Sequence, residues 1–214
     1  YTKAELLEAG LVVQNKNGGL YDKFRNRLML PVIDTRGDVV AFGSRVLDKS
    51  EPKYMNSSET PVYSKRRVLY GLNLAKKTKR SNIILCEGNL DIVTLHQAGF
   101  DNAVASMGTA LTVEQTRLLS RFTKELVLCY DNDNAGKIAT ERALQILQNS
   151  EFTVRVLQLP RRLVDGEYVK QDADDFIKFQ GPDAFERLLS GSENGIEFRM
   201  AQVAGKYDLA DDQA

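Results

Sequence analysis

The sequence predicts an α/β fold with a parallel sheet and flanking helices, preceded by a smaller basic α+β subdomain and followed by C-terminal helices. The first observation is that short apolar runs alternate with helical patterns between residues 82 and 158. Regular alternation of this kind indicates crossover connections and a parallel sheet. The second observation is that acidic residues directly follow two of these runs. Ligands of parallel sheets bind at the carboxyl ends of the strands, so the sequence also indicates where a site would lie.

The N-terminal part begins with a predicted helix over residues 2–9. Thr2 and Glu5 have the spacing of a capping box, in which each side chain bonds the other residue's backbone N–H. The further predicted elements before residue 80 are a hairpin of strands 27–33 and 39–46, a polar loop over 47–65 and a short helix near 71–79.

The central part consists of the alternating elements. The predicted strands are 82–86, 102–105, 126–130 and 153–158, and the predicted helices between them are 89–98, 112–121 and 135–149. A charged loop after residue 160 leads to predicted helices near 173–179, 182–190 and 193–206. We therefore expect three units: a basic subdomain over 1–80, an α/β domain over 81–180 and a helical segment over 181–214.

The charge of the chain is unevenly distributed, although the 214 residues carry no net charge. Residues 1–80 contain 16 Lys and Arg against 8 Asp and Glu, whereas residues 81–214 contain 13 against 21. This division predicts a polyanion-binding surface beside a cation-binding one. No signal peptide or long apolar run is present, which favours a cytoplasmic location without membrane contact. Cys86 and Cys129 are too few for a zinc site and are expected in the core.

Acidic residues form three clusters after the predicted strands. Glu87 and Asp91 follow the first strand and lie four residues apart, which places both on one helix face. Asp131 and Asp133 follow the third strand, directly before a helix. The cluster after the fourth strand comprises Asp172, Asp174 and Asp175. Converging carboxylates repel one another, and oxygen ligands of this kind suit Mg²⁺ or Mn²⁺, so the pattern predicts metal-assisted phosphoryl chemistry.

Other interpretations of the acidic residues agree less well with the sequence. A calcium-binding EF-hand loop starting at Asp131 would have Ala135 at its fifth position and Arg142 at its twelfth, where a bidentate Glu is required. No Walker A sequence is present. A phosphatase that uses an aspartate nucleophile would leave Glu87, Asp91 and Asp172 without a role. The lone histidine, His96, lies in a predicted helix and is expected to be structural.

The acidic motifs resemble those of the Toprim domain, which bacterial primases, topoisomerases and some nucleases share. The resemblance consists of Glu-Gly-x-x-Asp from Glu87 and Asp-x-Asp from Asp131. Further segments resemble the catalytic core of DnaG-type primases, namely 22–31, 43–45, 52–57, 69–72, 105–110 and 172–174. Two positions depart from the family pattern: Asn132 stands where Gly is common, and Ala173 stands where Pro is expected. Neither change removes an acidic side chain.

The resemblance implies a DNA-dependent RNA polymerase that joins NTPs into short RNA primers on single-stranded DNA by two-metal nucleotidyl transfer. The catalytic residues that it implies are Glu87, Asp91, Asp131 and Asp133. The implied ligands of Mg²⁺ or Mn²⁺ are Glu87, Asp131, Asp133, Asp172 and Asp174. The implied nucleotide-binding residues are Lys53, Tyr54, Asn56 and Lys65, and the implied DNA-binding residues are Arg25, Arg27 and Arg45.

The resemblance also implies partners and a place in the cell. A whole primase of this family has an N-terminal zinc-binding module and a C-terminal module that contacts the replicative helicase, and this sequence resembles only the core between them. We therefore expect a fragment of a protein that acts in the bacterial replisome. Two alternatives stay open: a Toprim nuclease that uses the same metals, and a non-catalytic nucleic-acid-binding module. A topoisomerase is disfavoured, since its strand-passage domains have no room here.

Overall fold

The computed structural model describes residues 1–204, and the side chains of residues 1–200. The strands are β1 (Val12–Gln14), β2 (Leu20–Asp22), β3 (Arg27–Ile33), β4 (Val39–Val46), β5 (Tyr54–Asn56), β6 (Asn82–Cys86), β7 (Ala103–Ala105), β8 (Glu125–Leu128), β9 (Thr153–Val156), β10 (Arg162–Val164), β11 (Glu167–Val169) and β12 (Glu193–Asn194). The helices are α1 (Lys3–Glu8), α2 (Leu72–Ala75), α3 (Asn89–Gln97), α4 (Val113–Leu119), α5 (Asn134–Leu147), α6 (Ala173–Gln180), α7 (Pro182–Ser190) and α8 (Gly195–Ala204).

A five-stranded sheet organises the central part, with strand order β12-β9-β8-β6-β7. The pairs β6–β7, β6–β8 and β8–β9 are parallel, and only β12 joins its neighbour antiparallel. Helices intervene between successive parallel strands, as crossover connections require. The predicted α/β fold with a parallel sheet and flanking helices is therefore confirmed.

Both faces of this sheet are buried. Ile83 and Leu85 of β6 belong to one apolar cluster, and the alternate residues Ile84 and Cys86 belong to another on the opposite face. A parallel sheet covered by helices on both sides has this near-continuous apolar sequence. Cys86 and Cys129 are both buried and free, so the prediction that they lie in the core is confirmed.

The strand order creates a crevice beside β6. The chain leaves β6 for β7 on one side, and then returns to form β8 on the other side. The loops that follow β6 and β8 therefore diverge at adjacent strand ends, the position at which open α/β sheets bind ligands. Glu87 follows β6 and Asp131 lies just beyond β8. Gly136, in the first turn of α5, allows this helix to pack closely, because a Cβ atom there would overlap the carbonyl oxygen of Asp131.

The N-terminal part consists of an antiparallel sheet, β3-β4-β5, and a separate hairpin, β1-β2. It joins the central part at the edge strand β7, where Tyr70 and Ala105 exchange two backbone hydrogen bonds of 2.9 and 3.0 Å. A second contact lies near the crevice, where the Asn56 side-chain amide donates to the Met107 carbonyl at 3.3 Å. The antiparallel sheet therefore lies against the loops that follow the parallel strands.

Several local predictions differ from the structure. The predicted capping box of Thr2 and Glu5 is present. The helix predicted near 71–79, however, is shorter in the structure, where α2 spans only Leu72–Ala75. The polar loop over 47–65 contains β5, and the final helix begins at Gly195 after a short strand. Hairpins β1–β2 and β10–β11 were not predicted, because three-residue strands are too short to show an alternating pattern. Residues 205 and 206 of the predicted last helix lie outside the described residues.

Among residues 1–204, no helix combines the length and the apolar character that crossing a membrane would require.

The packing of Gly136 leads to a stability prediction. Gly136→Ala should lower the free energy of unfolding by about 1–3 kcal/mol, because the added methyl group overlaps a backbone atom that cannot rotate away. Gly191→Ala is the matched control, since a Cβ atom at that helix end would lie 3.6 Å from its nearest neighbour. Urea unfolding of both variants measures the difference. Equal stabilities would contradict the close packing of α5 against Asp131.

Candidate functional site

An open cavity of about 380 Å³ lies at the ends of β6 and β8, between the parallel and antiparallel sheets. Its acidic wall consists of Glu87, Asp91, Asp131, Asp172, Asp174 and Asp175. The other polar residues of the lining come mainly from β4, β5 and the loop between them, and include Ser44, Arg45, Lys53, Tyr54 and Asn56. One cavity therefore brings together the acidic clusters and part of the basic N-terminal region.

Backbone amides tie the acidic loops to one another. Glu87 Oε1 accepts a hydrogen bond from the Asp131 N–H at 3.2 Å, which joins the loops after β6 and β8. Asp91 Oδ2 accepts from the Gly88 N–H at 3.1 Å, and its Oδ1 accepts from the Asp174 N–H at 3.2 Å. Asp91 thus connects the start of α3 with the start of α6 and fixes the distance between two acidic clusters.

Burial and mutual repulsion shift the pKa values of these acids. Burial, with the nearby charge of Asp172, raises the pKa of Asp91 to about 7. Burial is also the main cause of the raised pKa values of Glu87, Asp131 and Asp172, and neighbouring carboxylates add to each shift. A divalent cation would relieve both the desolvation and the repulsion.

The third acidic cluster lies at the start of α6. Asp172 is the N-cap residue, and its Oδ1 accepts from the Asp175 N–H at 2.8 Å. Asp174 accepts hydrogen bonds from the Thr94 hydroxyl and, at 2.6 Å, from Lys178 Nζ. One ligand atom from each of Asp172, Asp174 and Asp175 lies within 4.8 Å of the others. An all-oxygen set of this kind fits a hard cation such as Mg²⁺ or Mn²⁺.

Asp175 is a cavity residue that the implied ligand set left out. The sequence contained the signal, since Asp175 adjoins Asp174, but the resemblance carried over only Asp172 and Asp174. The helical start at Ala173 is what turns Asp175 toward the same space.

The structure places Asp133 outside the cavity lining. Its Oδ1 caps α5 by accepting from the Gly136 N–H at 2.8 Å, and its Oδ2 accepts from Lys170 Nζ at 2.8 Å. The hydrogen bond from Lys170 is the main reason that the pKa of Asp133 lies below its usual range. Lys170 Nζ also lies 3.9 Å from Asp131 Oδ2, so one ammonium group touches both aspartates of the motif.

Tyr54 lies between two cations on the basic side of the cavity. It pairs with Arg45 across the β4–β5 ladder. The Arg45 guanidinium and Lys53 Nζ each lie 5.6 Å from the centroid of the Tyr54 ring, a distance at which cations are attracted to aromatic faces. The Tyr54 side chain remains half exposed. Arg45 therefore lines the same cavity as Lys53 and Tyr54, whereas the other predicted DNA-binding residues do not line it.

The remaining predicted residues lie outside the cavity lining. The Arg25 guanidinium lies 4.8 Å from the ring centroid of Tyr21, and Arg27 Nη1 donates to the Pro52 carbonyl at 2.8 Å. The backbone N–H of Lys65 donates to Glu59 Oε1 at 2.8 Å. His96 Nε2 lies 2.9 Å from the Ala103 carbonyl oxygen, and this contact agrees with the structural role expected of His96.

Comparison with known proteins identifies the family to which the chain belongs. Residues 1–76 match the family described as DNA primase catalytic core, N-terminal domain, and residues 84–177 match the Toprim-like family. The chain belongs to the DnaG-type DNA primase family. It matches about two thirds of the length of solved catalytic cores of that family, as the resemblance to the core predicted. The Toprim match and the acidic triad at α6 together indicate divalent-metal binding.

Individual relatives agree with this assignment. The DNA primase of Clostridium acetobutylicum is 44% identical over 215 residues, which cover 100% of this chain and 35% of that protein. A DNA primase domain from Pseudomonas aeruginosa has a TM-score of 0.84 at 39% identity, covering 97% of this chain and 64% of that one. A structure of the DnaG primase catalytic domain bound to single-stranded DNA has a TM-score of 0.85 at 36% identity, covering 99% and 65%. The chain spans about a third of the length of the curated relatives it matches.

The raised pKa of Asp91 leads to a prediction for the metal-free protein. The folded state keeps the Asp91 proton up to about pH 7, whereas the unfolded chain releases it near pH 4. The free energy of unfolding should therefore fall as pH rises from about 4 to about 7, by at most about 1.4 kcal/mol per pH unit for one proton. Urea unfolding in the presence of a chelator measures the slope.

A variant at the same position tests the origin of this slope. Asp91→Asn should flatten the decrease between pH 4 and 7, because the amide does not titrate. Asp165→Asn, in the exposed turn between β10 and β11, should keep the wild-type slope. An unchanged slope in Asp91→Asn would show that another group causes the pH dependence.

Proposed function

We propose that this chain is the part of a primase that synthesises RNA primers on a single-stranded DNA template. The reaction is nucleotidyl transfer, in which a 3′-hydroxyl attacks the α-phosphorus of an NTP and pyrophosphate leaves. The observation that carries the proposal is the shared cavity, whose acidic wall suits cations and whose basic residues suit a polyphosphate. The similarity to a DnaG catalytic domain described as bound to single-stranded DNA supports the choice of template.

The carboxylates of the cavity hold the divalent ions in this proposal. We assign Mg²⁺ or Mn²⁺ to Glu87, Asp131, Asp172 and Asp174, with Asp175 as an additional oxygen donor and Asp133 as a ligand implied by family resemblance. When bound, such ions lower the pKa of an attacking hydroxyl and offset charge on the attacking and leaving oxygens.

Glu87 and Asp91 have further roles in the proposed site. Because burial raises the pKa of Glu87, this side chain holds a proton more readily near neutral pH than an exposed glutamate does. Glu87 also accepts the N–H of Asp131, so it is suited both to position that residue and to take part in proton transfer. Asp91 holds the starts of α3 and α6 together through its two carboxylate oxygens.

Nucleotide and template occupy different basic residues in this proposal. Lys53 and Arg45 contact the triphosphate, while Tyr54 and Asn56 face the sugar or base, since all four line the cavity. Lys65 is assigned to the nucleotide from family resemblance alone. Arg25 and Arg27 contact the template backbone outside the cavity, in the basic N-terminal region. Phosphate contacts of this kind position a strand without reading its sequence.

The proposed helicase contact rests on family resemblance. It would be made by the C-terminal module that whole primases of this family carry, and not by residues of the catalytic core.

Substitution of Asp131 tests the proposed reaction. Asp131→Asn should lower primer synthesis by several orders of magnitude, because a metal-facing carboxylate is lost. Its thermal stability without metal should equal or exceed that of the wild type, since one repelling charge is removed. Denaturing gels with labelled NTPs and single-stranded template show the products, and calorimetry measures stability. A nuclease would instead shorten the template, and a matching loss of stability would make Asp131 structural.

Substitution of Lys53 tests the separation of nucleotide from template. Lys53→Ala should lower kcat/KM for NTP roughly 10- to 100-fold, equivalent to about 1.5–3 kcal/mol for a charge-assisted hydrogen bond. Template affinity should be nearly unchanged. Arg25→Ala should show the reverse pattern, with weaker template binding at an unchanged apparent KM for NTP. Filter binding with labelled template, alongside NTP titration, measures both. If Lys53→Ala abolishes template binding while the NTP dependence is retained, Lys53 belongs to the template path.

A further inference from the structure

We propose that Lys170 is a tethered counter-ion for Asp131 and Asp133, and that a divalent cation must displace it to reach Asp133. This inference rests on the metal site of the proposed function. Lys170 follows β11, at the end of the β10–β11 hairpin, and lies outside the acidic motifs that predicted the site. Its Nζ lies 2.8 Å from Asp133 Oδ2 and 3.9 Å from Asp131 Oδ2.

The hydrogen bonds of Asp133 explain why the two cations compete. Oδ1 accepts the Gly136 N–H and caps α5, while Oδ2 accepts the ammonium of Lys170. The helix cap is part of the fold, so Oδ1 is committed to it. Oδ2 becomes available to a metal ion only when the ammonium leaves. An ammonium and a divalent cation cannot share this oxygen closely, because their charges repel.

The hairpin holds Lys170 within reach while leaving its side chain free to move. At one end of the hairpin, the Arg162 guanidinium stacks 3.6 Å from the ring centroid of Phe179 in α6. Beside Lys170, the Gln171 side chain donates to the Pro160 carbonyl at 2.6 Å. The Lys170 side chain itself is 62% exposed, so it can swing into solvent without opening the core. A flexible side chain on a fixed base is what a displaceable counter-ion requires.

The expected size of the competition follows from this exposure. Solvent-exposed ion pairs are weak, so displacing Lys170 should reduce metal affinity only about two- to fivefold. In return, the ammonium offsets the charge of two aspartates while no metal is bound. Lys170 would thus raise the concentration of divalent cation at which the site fills by about two- to fivefold, without preventing binding.

Isothermal titration calorimetry with Mn²⁺ and the full chain tests the inference by measuring the affinity for Mn²⁺. Lys170→Gln should bind Mn²⁺ about two- to fivefold more tightly than the wild type, whereas Lys170→Arg, which keeps the charge, should stay close to wild type. Lys124→Gln is the matched control, because it removes one lysine from an exposed ion pair with Glu151 of 2.6 Å at residues outside the cavity lining. This control should bind Mn²⁺ as the wild type does.

Thermal unfolding gives a second readout that does not depend on activity. In a chelator, Lys170→Gln should unfold at a lower temperature than Lys124→Gln, because Asp131 and Asp133 lose their counter-ion. Saturating Mn²⁺ should then raise the melting temperature of Lys170→Gln by more than that of the wild type.

The outcomes separate this inference from the proposed function. Equal or weaker Mn²⁺ affinity in Lys170→Gln, with wild-type binding intact, would overturn the role of Lys170 alone. An equal gain in Lys124→Gln would reduce the effect to net charge and would also overturn it. If the wild type binds no Mn²⁺ in this titration, the metal site fails, and the role of Lys170 fails with it.

Discussion

Repulsion among the carboxylates at the ends of β6 and β8 has to be offset by the structure around the cavity. The strand order brings Glu87 and Asp131 together at adjacent strand ends, and the start of α6 adds further acids to the same cavity. Burial raises the pKa values of several of these groups, so their convergence is unfavourable in the absence of a cation. The neighbouring structure supplies partners that reduce this cost: backbone amides for Glu87 and Asp91, and lysines for Asp133 and Asp174.

The same interactions make the site rigid. Glu87 and Asp91 each accept a backbone N–H from a segment distant in sequence, Glu87 from Asp131 and Asp91 from Asp174. Gly136 contributes by allowing α5 to begin directly beside Asp131. For the proposed reaction, positions fixed in this way before a ligand arrives reduce the reorganisation that is needed when substrate binds.

The sequence predicted the parallel sheet and the acidic strand ends because both depend on local patterns. The apolar run of β6 predicts a strand, and the acidic residues that follow it predict the strand end at which a site would lie. The environment of Asp133 could not be predicted in this way, because it depends on Lys170, which lies 37 residues away on a hairpin with strands too short to recognise. The neighbours of Arg45 could not be predicted for a similar reason, since only the β4–β5 ladder shows that it pairs with Tyr54, and its assignment to DNA stays a prediction. The division of the chain at about residues 80 and 180 stays a prediction.

Gly43 and Arg45 lie on the strand β4, whose residues form the side of the cavity opposite the acidic wall. Side chains at this spacing lie on the same face of a strand, and in the β4–β5 ladder Gly43 pairs with Asn56 while Arg45 pairs with Tyr54. A Cβ atom at Gly43 would overlap the side-chain amide of Asn89, so glycine lets this face approach the start of α3. Arg45 and Tyr54, one step further along the same face, then reach the cavity that the acidic residues line. The close approach at Gly43 therefore positions the cations opposite the carboxylates, and this charge separation suits the metal-bound triphosphate that we propose as ligand.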